Sequence, residues 1–378
     1  MFSDSQHILV VQPLVGIGDM VWHKPWIDNL IARHKVTLAT KPTVQAQLLF
    51  YGAGPEFNIL NIERSLRGKR CRHDGIVGFF RLVRDFRASG ADTAIILHHS
   101  PRYALAARLA GIKIRMGFGR KSQQKHLNFG QFLSAADLAR HATARIKKFA
   151  ELNGFGLDNP KWRLSLSPKA ISTADAYLRA NGLIEDLPNI SGKGKSHKDT
   201  SPTDKIPKEK PGEKCLPYLC LGIGAMHVER QWGAEKFSQL IIGLHKMRPN
   251  LRIVLVAGPQ DGDCLADILG HLAPLPDIPA PLVLKDRLDV ACAILARAKG
   301  YVGNDTSLLN LSVCVDTPAL GLFSQSEPLT YSPLIHQLGL FPEAAYGTPG
   351  LINKIQTDDV LQAIARIWPA GKRANTGR

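Results

Sequence analysis

The chain has 378 residues, 44% of them hydrophobic and 21% charged, with a formal net charge of +16. That length exceeds one ordinary core and suits two domains, which the apolar fraction is large enough to fill. No uncharged apolar run reaches the ~18 residues a spanning helix needs, and Met1 to Gln6 carry an acid and no basic region ahead of "ILVV". Neither a membrane span nor a secretion signal is expected, and the cytoplasm is the expected compartment.

The charge is unevenly spread. Residues 1–150 hold 23 Lys and Arg against 9 Asp and Glu, a balance of +14, and the remaining residues hold 25 against 23, a balance of +2. A field of this sign over the first half concentrates phosphorylated ligands, anionic membrane or nucleic acid, unless it is only a surface tuned for solubility. Aromatic residues make up only 7% and are not interleaved with the basic ones, which argues against a single-strand nucleic-acid platform. The cysteines Cys71, Cys215, Cys220, Cys264, Cys292 and Cys314 form no C-x-x-C pair and have no His partner at zinc spacing, so they read as buried or incidental thiols. His98 and His99 would point to opposite faces of a strand, and no metal site is expected.

In chain order, "HILVVQPLVGIGDMVWHKPWIDNLI" reads as a strand, a glycine turn at Gly16 and Gly18, and a helix. "KVTLAT" and a helix from Val44 follow, then "DTAIILHHS" with "PRYALAARLAG", and "IKIRMGFG" as a short strand. This alternation predicts a doubly wound α/β domain over residues 1–185. Residues 191–214, "SGKGKSHKDTSPTDKIPKEKPGEK", hold seven Lys and four acids but one large aliphatic residue. They predict a flexible linker or insertion, placed at 186–216. A second α/β series occupies 217–378. "PYLCLGIGA" is a strand ending in glycines, "AEKFSQLIIGLHKM" an amphipathic helix, "LRIVLVAGP" a buried strand, and "LDVACAILARAKG" a helix capped by Gly300. "YVGND" and "TPALGLF" are further strands, and a C-terminal helix closes the domain.

Three stretches carry chemistry. In "GYVGNDTSLLNLSV", Asp305, Thr306 and Ser307 suit the cap and first turn of a helix. There, the amides of Thr306, Ser307 and Leu308 and the positive end of the dipole would receive a diphosphate, or simply cap the helix. In "GIGAMHVERQWG", Gly224 and Ala225 let a ligand approach the backbone and Arg230 can grip phosphate oxygens with two donors. Both lie at the carboxyl ends of strands, where open α/β sheets bind ligands. In "GIGD", Val21 stands where a dinucleotide fingerprint needs a third glycine, so Asp19 reads as a general base beside Gly18, or as a mere cap of its helix.

These residues resemble the heptosyltransferases, the ninth glycosyltransferase family. "GNDTSLLNLSVCVDTPALGLFSQSEPLTYSP" is similar to the family's GNDT signature, "GIGDMVWHKP" to its GDxxxxxP element with Pro25 in register, "GAMHVERQWG" to its diphosphate loop, and "SPRYALAARLAGIKIRMGF" to a stretch of its first domain. The resemblance covers nearly the whole chain outside 191–214. It implies two tandem Rossmann-like domains facing a cleft, the GT-B arrangement. The first would hold a phosphorylated, Kdo-bearing lipid A core at the inner face of the inner membrane, and the second an ADP-sugar as donor, with no cofactor and no obligatory metal. It further implies inversion by direct displacement, with Asp19 as base, Arg230 in the role of the family's lysine, Asp305 with Thr306 to Leu308 on the donor, and Asp261 on its ribose. Ser307, Asn310, Arg230 and Gly233 depart from the motif's glycine, histidine, lysine and proline, and Ala225 and Met226 lack its hydroxyls.

Expected acceptor contacts are Gly18, Arg64, Arg67, Lys69, Arg70 and Arg72, with Arg120, Lys121 and Lys125. A helix with Phe79, Phe80, Leu82 and Val83 among Arg81, Arg84 and Arg87 is expected either to lie on lipid headgroups or to pack on its own core. Against the transferase stand a basic nucleic-acid binder and a relative that binds a nucleotide sugar without turning it over.

Overall fold

The computed structural model describes residues 6–65, 70–187, 207–324, 329–339 and 350–369. The chain divides into two compact units, Met1–Leu164 and Ser165–Arg378.

The first unit runs β1 (His7–Gln12), α1 (Ile17–Ile31), β2 (Lys35–Thr40), α2 (Ala46–Leu49), β3 (Phe57–Asn61), α3 (Gly75–Ala88), β4 (Thr93–Ile96), α4 (Pro101–Leu109), β5 (Ile114–Gly117), α5 (Ala135–Ala139) and α6 (Ala142–Leu152). Its five strands pair in parallel in the order β3-β2-β1-β4-β5, with Ile8 opposite both Val36 and Thr93. Because β1 and β4 are covered on both faces, they read as continuous apolar runs. Leu9, Val11, Ala94 and Ile96 pack with Leu82 and Phe86 of α3 and Ala104 and Ala107 of α4. The helix expected from Val44 is only a 3₁₀ turn, Pro42–Val44, followed by the short α2, with Gln45 between them in the left-handed region at φ 51°.

The second unit comprises α7 (Pro168–Ala180), β6 (Ile184–Asp186), β7 (Glu213–Cys215), β8 (Tyr218–Gly222), α8 (Ala234–Met247), β9 (Arg252–Val256), α9 (Gly262–Leu272), β10 (Leu282–Leu284), α10 (Leu288–Arg297), β11 (Gly300–Asn304), α11 (Ser307–Cys314), β12 (Ala319–Leu322), β13 (Ile335–Leu338) and α12 (Thr357–Ile367). Six parallel strands lie in the order β10-β9-β8-β11-β12-β13. Trp232, Phe237, Leu255, Val302 and Leu320 lie in its main core. Gly300 does not cap the preceding helix, which ends at Arg297. It opens β11, where a side chain would collide with the Trp368 indole.

The unit boundary falls at Leu164, ahead of the expected residue 185, because α7 packs on α10 and Tyr177 donates to the Val283 carbonyl at 2.9 Å. The far end of the expected linker is also folded. β7 pairs antiparallel with β6, Glu213 meets the buried Arg297 at 3.1 Å, and Lys210 reaches Asp175 at 2.5 Å. Charges that composition alone assigns to solvent are paired here, and residues 188–206 lie outside the described residues.

Candidate functional site

In a parallel sheet every strand delivers its following loop to one edge, so the residues of interest in each unit gather at its carboxyl edge. In the second unit the organising residue is Asn304, the last of β11 and fully buried. Its Nδ2 donates to the carbonyls of Ile223 at 2.9 Å and Gly224 at 3.2 Å, and its Oδ1 accepts the Trp232 amide at 3.2 Å. One side chain therefore ties both ends of the 223–232 loop to the strand that leads into α11. The Trp232 indole, itself buried, donates to the Ile355 carbonyl at 3.0 Å and anchors the end of the loop.

The two sequence-predicted anion elements consequently meet, and Arg230 Nη1 lies 3.6 Å from Asp305 Oδ2. Thr306 occupies the N-cap of α11 in an extended conformation, without its side chain closing onto the helix. The amides of the first turn have no acceptor within a helix and carry its positive dipole end. Asn310, standing where the motif has histidine, donates to the Thr306 carbonyl at 3.1 Å and accepts from the Tyr331 hydroxyl at 2.7 Å, which braces this turn.

Asp261 caps α9, and its Oδ2 accepts the Gly258 amide at 2.6 Å. Its carboxylate occupies the space a side chain at Gly224 would need. The buried Tyr301 ring likewise fills the space above Gly222 and Gly303. Burial pushes its phenol above the usual range, and the charges of Asp305 and Asp261 push it further. Gly224, Ala225, Arg230, Asp261, Asp305, Thr306, Ser307 and Leu308 thus lie around the carboxyl ends of β8, β9 and β11. The 226–229 stretch is exposed, Met226 at 83% and Val228 at 76%.

In the first unit the turn after β1 places Gly16 at the N-cap, Gly18 in the first turn of α1, and Asp19 where its Oδ2 accepts the Gly16 amide at 3.2 Å. The half-buried Asp19 therefore caps its own helix. His23 Nδ1 lies 2.7 Å from the Asp19 carbonyl, and burial holds this imidazole down at about 4. His98, at the end of β4, is also held down to about 4, first by burial and then by His99, Arg64, Arg145 and Lys41. His99, stacked on it at 4.4 Å, feels burial, Arg120 and Arg145. Arg64 and Arg120 are in this way brought to one basic cluster, to which Lys41 and Arg145 add charges that motif reading missed. Their signal was their place just after β2 and on α6.

Lys125 sits apart, beside His126 and Arg108, whose Nη1 donates to the Lys125 carbonyl at 3.3 Å. Arg67 and Lys69 lie outside the described residues. The loop between β3 and α3 is pinned by Asp74, whose Oδ2 accepts from the Cys71 amide at 2.9 Å and from the Ser65 hydroxyl at 2.7 Å, holding its carboxyl at about 2. Leu82 and Val83 of α3 are buried in the core and Phe79 is half-buried, so of the expected lipid-facing apolar residues only Phe80 is exposed. Among the described residues, no group of three or more His, Cys, Asp and Glu side chains could hold a metal ion, and no helix is long and apolar enough to cross a membrane.

Two Rossmann-like sheets, each with its loops of interest at the carboxyl edge, define a GT-B type fold. Solved structures of this type are similar over nearly the whole chain. A family 9 glycosyl transferase from Veillonella parvula DSM 2008 matches with a TM-score of 0.69 at 18% identity, covering 97% of this chain and 98% of that one. The E. coli ADP-heptose LPS heptosyltransferase II matches with a TM-score of 0.66 at 17% identity, covering 96% and 98%. The E. coli heptosyltransferase WaaC with ADP-2-deoxy-2-fluoro heptose matches with a TM-score of 0.62 at 17% identity, covering 96% and 99%. No curated protein sequence matches. The model of glycosyltransferase family 9 (heptosyltransferase) matches residues 79–349, and the chain belongs to that family.

Proposed function

We propose that this glycosyltransferase moves a heptose or a related sugar from an ADP-sugar to an acidic lipopolysaccharide core acceptor, with inversion and without a metal. The observation that supports this most is Arg230 at 3.6 Å from Asp305 beside the first turn of α11, both tied to the 223–232 loop through Asn304. A diphosphate placed there would draw Arg230 from the carboxylate and accept the amides of Thr306, Ser307 and Leu308. Asp261 would face the ribose, next to Gly224 and Ala225.

The acceptor hydroxyl oxygen would attack the anomeric carbon while Asp19 takes its proton and the bond from that carbon to the diphosphate oxygen breaks, releasing ADP. One displacement inverts the centre. The +14 of the first half suits a phosphorylated, Kdo-bearing lipid A acceptor, held at the inner face of the inner membrane. Gly18, Arg64, Arg67, Arg120 and Lys125 are its proposed contacts, Lys125 through a part of the acceptor away from Arg64. The name of the similar E. coli ADP-heptose LPS heptosyltransferase II supports this choice of nucleotide sugar.

The test is Asp19→Asn, in which the side-chain oxygen still accepts the Gly16 amide but cannot take a proton. Transfer should fall by roughly 10²–10⁴ with ADP affinity unchanged. A near wild-type rate would remove Asp19 from the chemistry.

A further inference from the structure

Of the two settings expected for the apolar residues of α3, the core takes Leu82 and Val83, yet the first two turns leave three large apolar side chains in solvent. Ile76 is 78% exposed, Val77 61% and Phe80 60%, whereas no other large apolar side chain described in the first unit exceeds 43%. The helix is not short of core contacts, because Leu82, Val83 and Phe86 bury its opposite side. The exposed side chains are not loose either. Phe80 packs edge-on against Phe79 at 5.7 Å, and the Arg102 guanidinium lies over Phe79 at 4.8 Å while donating to the His73 carbonyl at 2.9 Å.

Arginines surround this patch. The Arg70 guanidinium lies over Gly75, Arg72 is exposed at the entry to the helix, Arg81 directly follows Phe80 and Arg84 stands one turn beyond it, both exposed. The acids nearest them, Asp74 and Asp85, are held within the unit, Asp85 by Arg72 at 2.7 Å and His73 at 3.0 Å and more distantly by the largely exposed Arg84 at 3.6 Å. Along a helix rising 1.5 Å per residue, Ile76 and Arg84 are about 12 Å apart. With the exposed face laid on a bilayer, the short apolar side chains enter the acyl boundary while the long arginine side chains between and beyond them reach up to the phosphate layer. α3 begins at the carboxyl edge of the sheet, as α1 does with Asp19, so a surface bound through α3 faces the edge on which a lipid-borne acceptor would be used.

We infer that the exposed face of α3, Ile76, Val77 and Phe80 with Arg81 and Arg84, docks the protein on an anionic lipid bilayer. The inference rests on the reading of the first unit as the acceptor side and names the surface that meets the lipid. A second copy of this chain is a poorer occupant, because two such arginine-ringed patches on basic units repel each other. A neutral apolar partner would leave the arginines unused.

The experiment is sedimentation of the full chain with vesicles of phosphatidylcholine alone, or with phosphatidylglycerol added and no lipopolysaccharide present. Wild type should bind the anionic vesicles and only weakly the neutral ones. The variant I76S/F80S keeps every charge and, since both side chains are exposed, the fold, which its unfolding midpoint verifies. Its partitioning should fall at least roughly tenfold. R81Q/R84Q should lose several-fold and flatten the salt dependence, at about the effect of two surface charges. Wild type that ignores anionic vesicles, or I76S/F80S that binds as wild type does, overturns the inference. So does wild type self-associating in solution through a contact that I76S/F80S abolishes, since the face would then be an interface between copies. ADP binding measured without vesicles tests the transferase reading separately, so the two can fail independently.

Discussion

Replacing Asn304 with Ala removes the tie between the diphosphate loop and the strand before α11. Three hydrogen bonds go, to Ile223, Gly224 and Trp232. Because Asn304 is 0% exposed and Trp232 1%, water cannot easily replace them, and the Trp232 amide is left unpaired in the interior. At roughly 1 kcal/mol per lost bond, with the orphaned donor toward the upper end, the second unit should lose about 3 kcal/mol. For a unit of this size that is a fall of roughly 6–12 °C in Tm. The loop carrying Arg230 would also no longer be held ready, so ADP affinity should drop by about tenfold. Urea unfolding followed by circular dichroism measures the first quantity and calorimetric titration with ADP the second. Destabilisation below about 1 kcal/mol, or destabilisation with unchanged ADP affinity, would refute the argument that this residue couples the two elements.

Arg230→Gln should weaken ADP binding by at least roughly tenfold and leave stability within ~0.5 kcal/mol, since its ion pair with Asp305 is long and partly exposed. Titration with ADP and thermal unfolding read both. Gly224→Ala drives a methyl group into the Asp261 carboxylate. A loss of about 1–3 kcal/mol with reduced ADP affinity is expected, and equal binding would free the loop from this contact. His23 is held down at about 4 in the folded protein against about 6.5 in an open chain. The unfolded state therefore takes up its proton first, and stability present above pH 6.5 is lost as pH falls toward 4. Urea unfolding at pH 7.5, 5.5 and 4.5 should show the decline, and His23→Asn should reduce its slope in that window.

The legible parts of this chain were those in which local pattern and tertiary role coincide. β1, β4, β8, β9 and β11 are apolar because they are central in parallel sheets, and "GNDT" and "GIGD" stand at strand ends, where the topology exposes them. What pattern could not supply was pairing at a distance. Asn304 reads as one polar residue among four, and only the adjacency of β8 and β11 makes it the clasp between them. Lys41 and Arg145, far apart in sequence, reach the His98–His99 pair by the same kind of folding. In α3 helical periodicity identified an amphipathic segment but left lipid and core both open, because Leu82 and Val83 beside Arg81 and Arg84 fit either until the sheet beneath them is known. Residues 207–216 were read as solvated because a run of Lys and Glu gives no sign of waiting partners such as Arg297 and Asp175.

The short antiparallel pair of β6 and β7 holds two distant parts of the chain side by side, with the Leu187 amide bonded to the Gly212 carbonyl at 2.8 Å. Because these bonds and the Arg297–Glu213 contact hold the pair in place, the register of the six-stranded sheet does not depend on how many residues join Leu187 to Gly212. A genetic insertion, a reporter tag or a circular permutation placed in that connection would leave both sheets as they are.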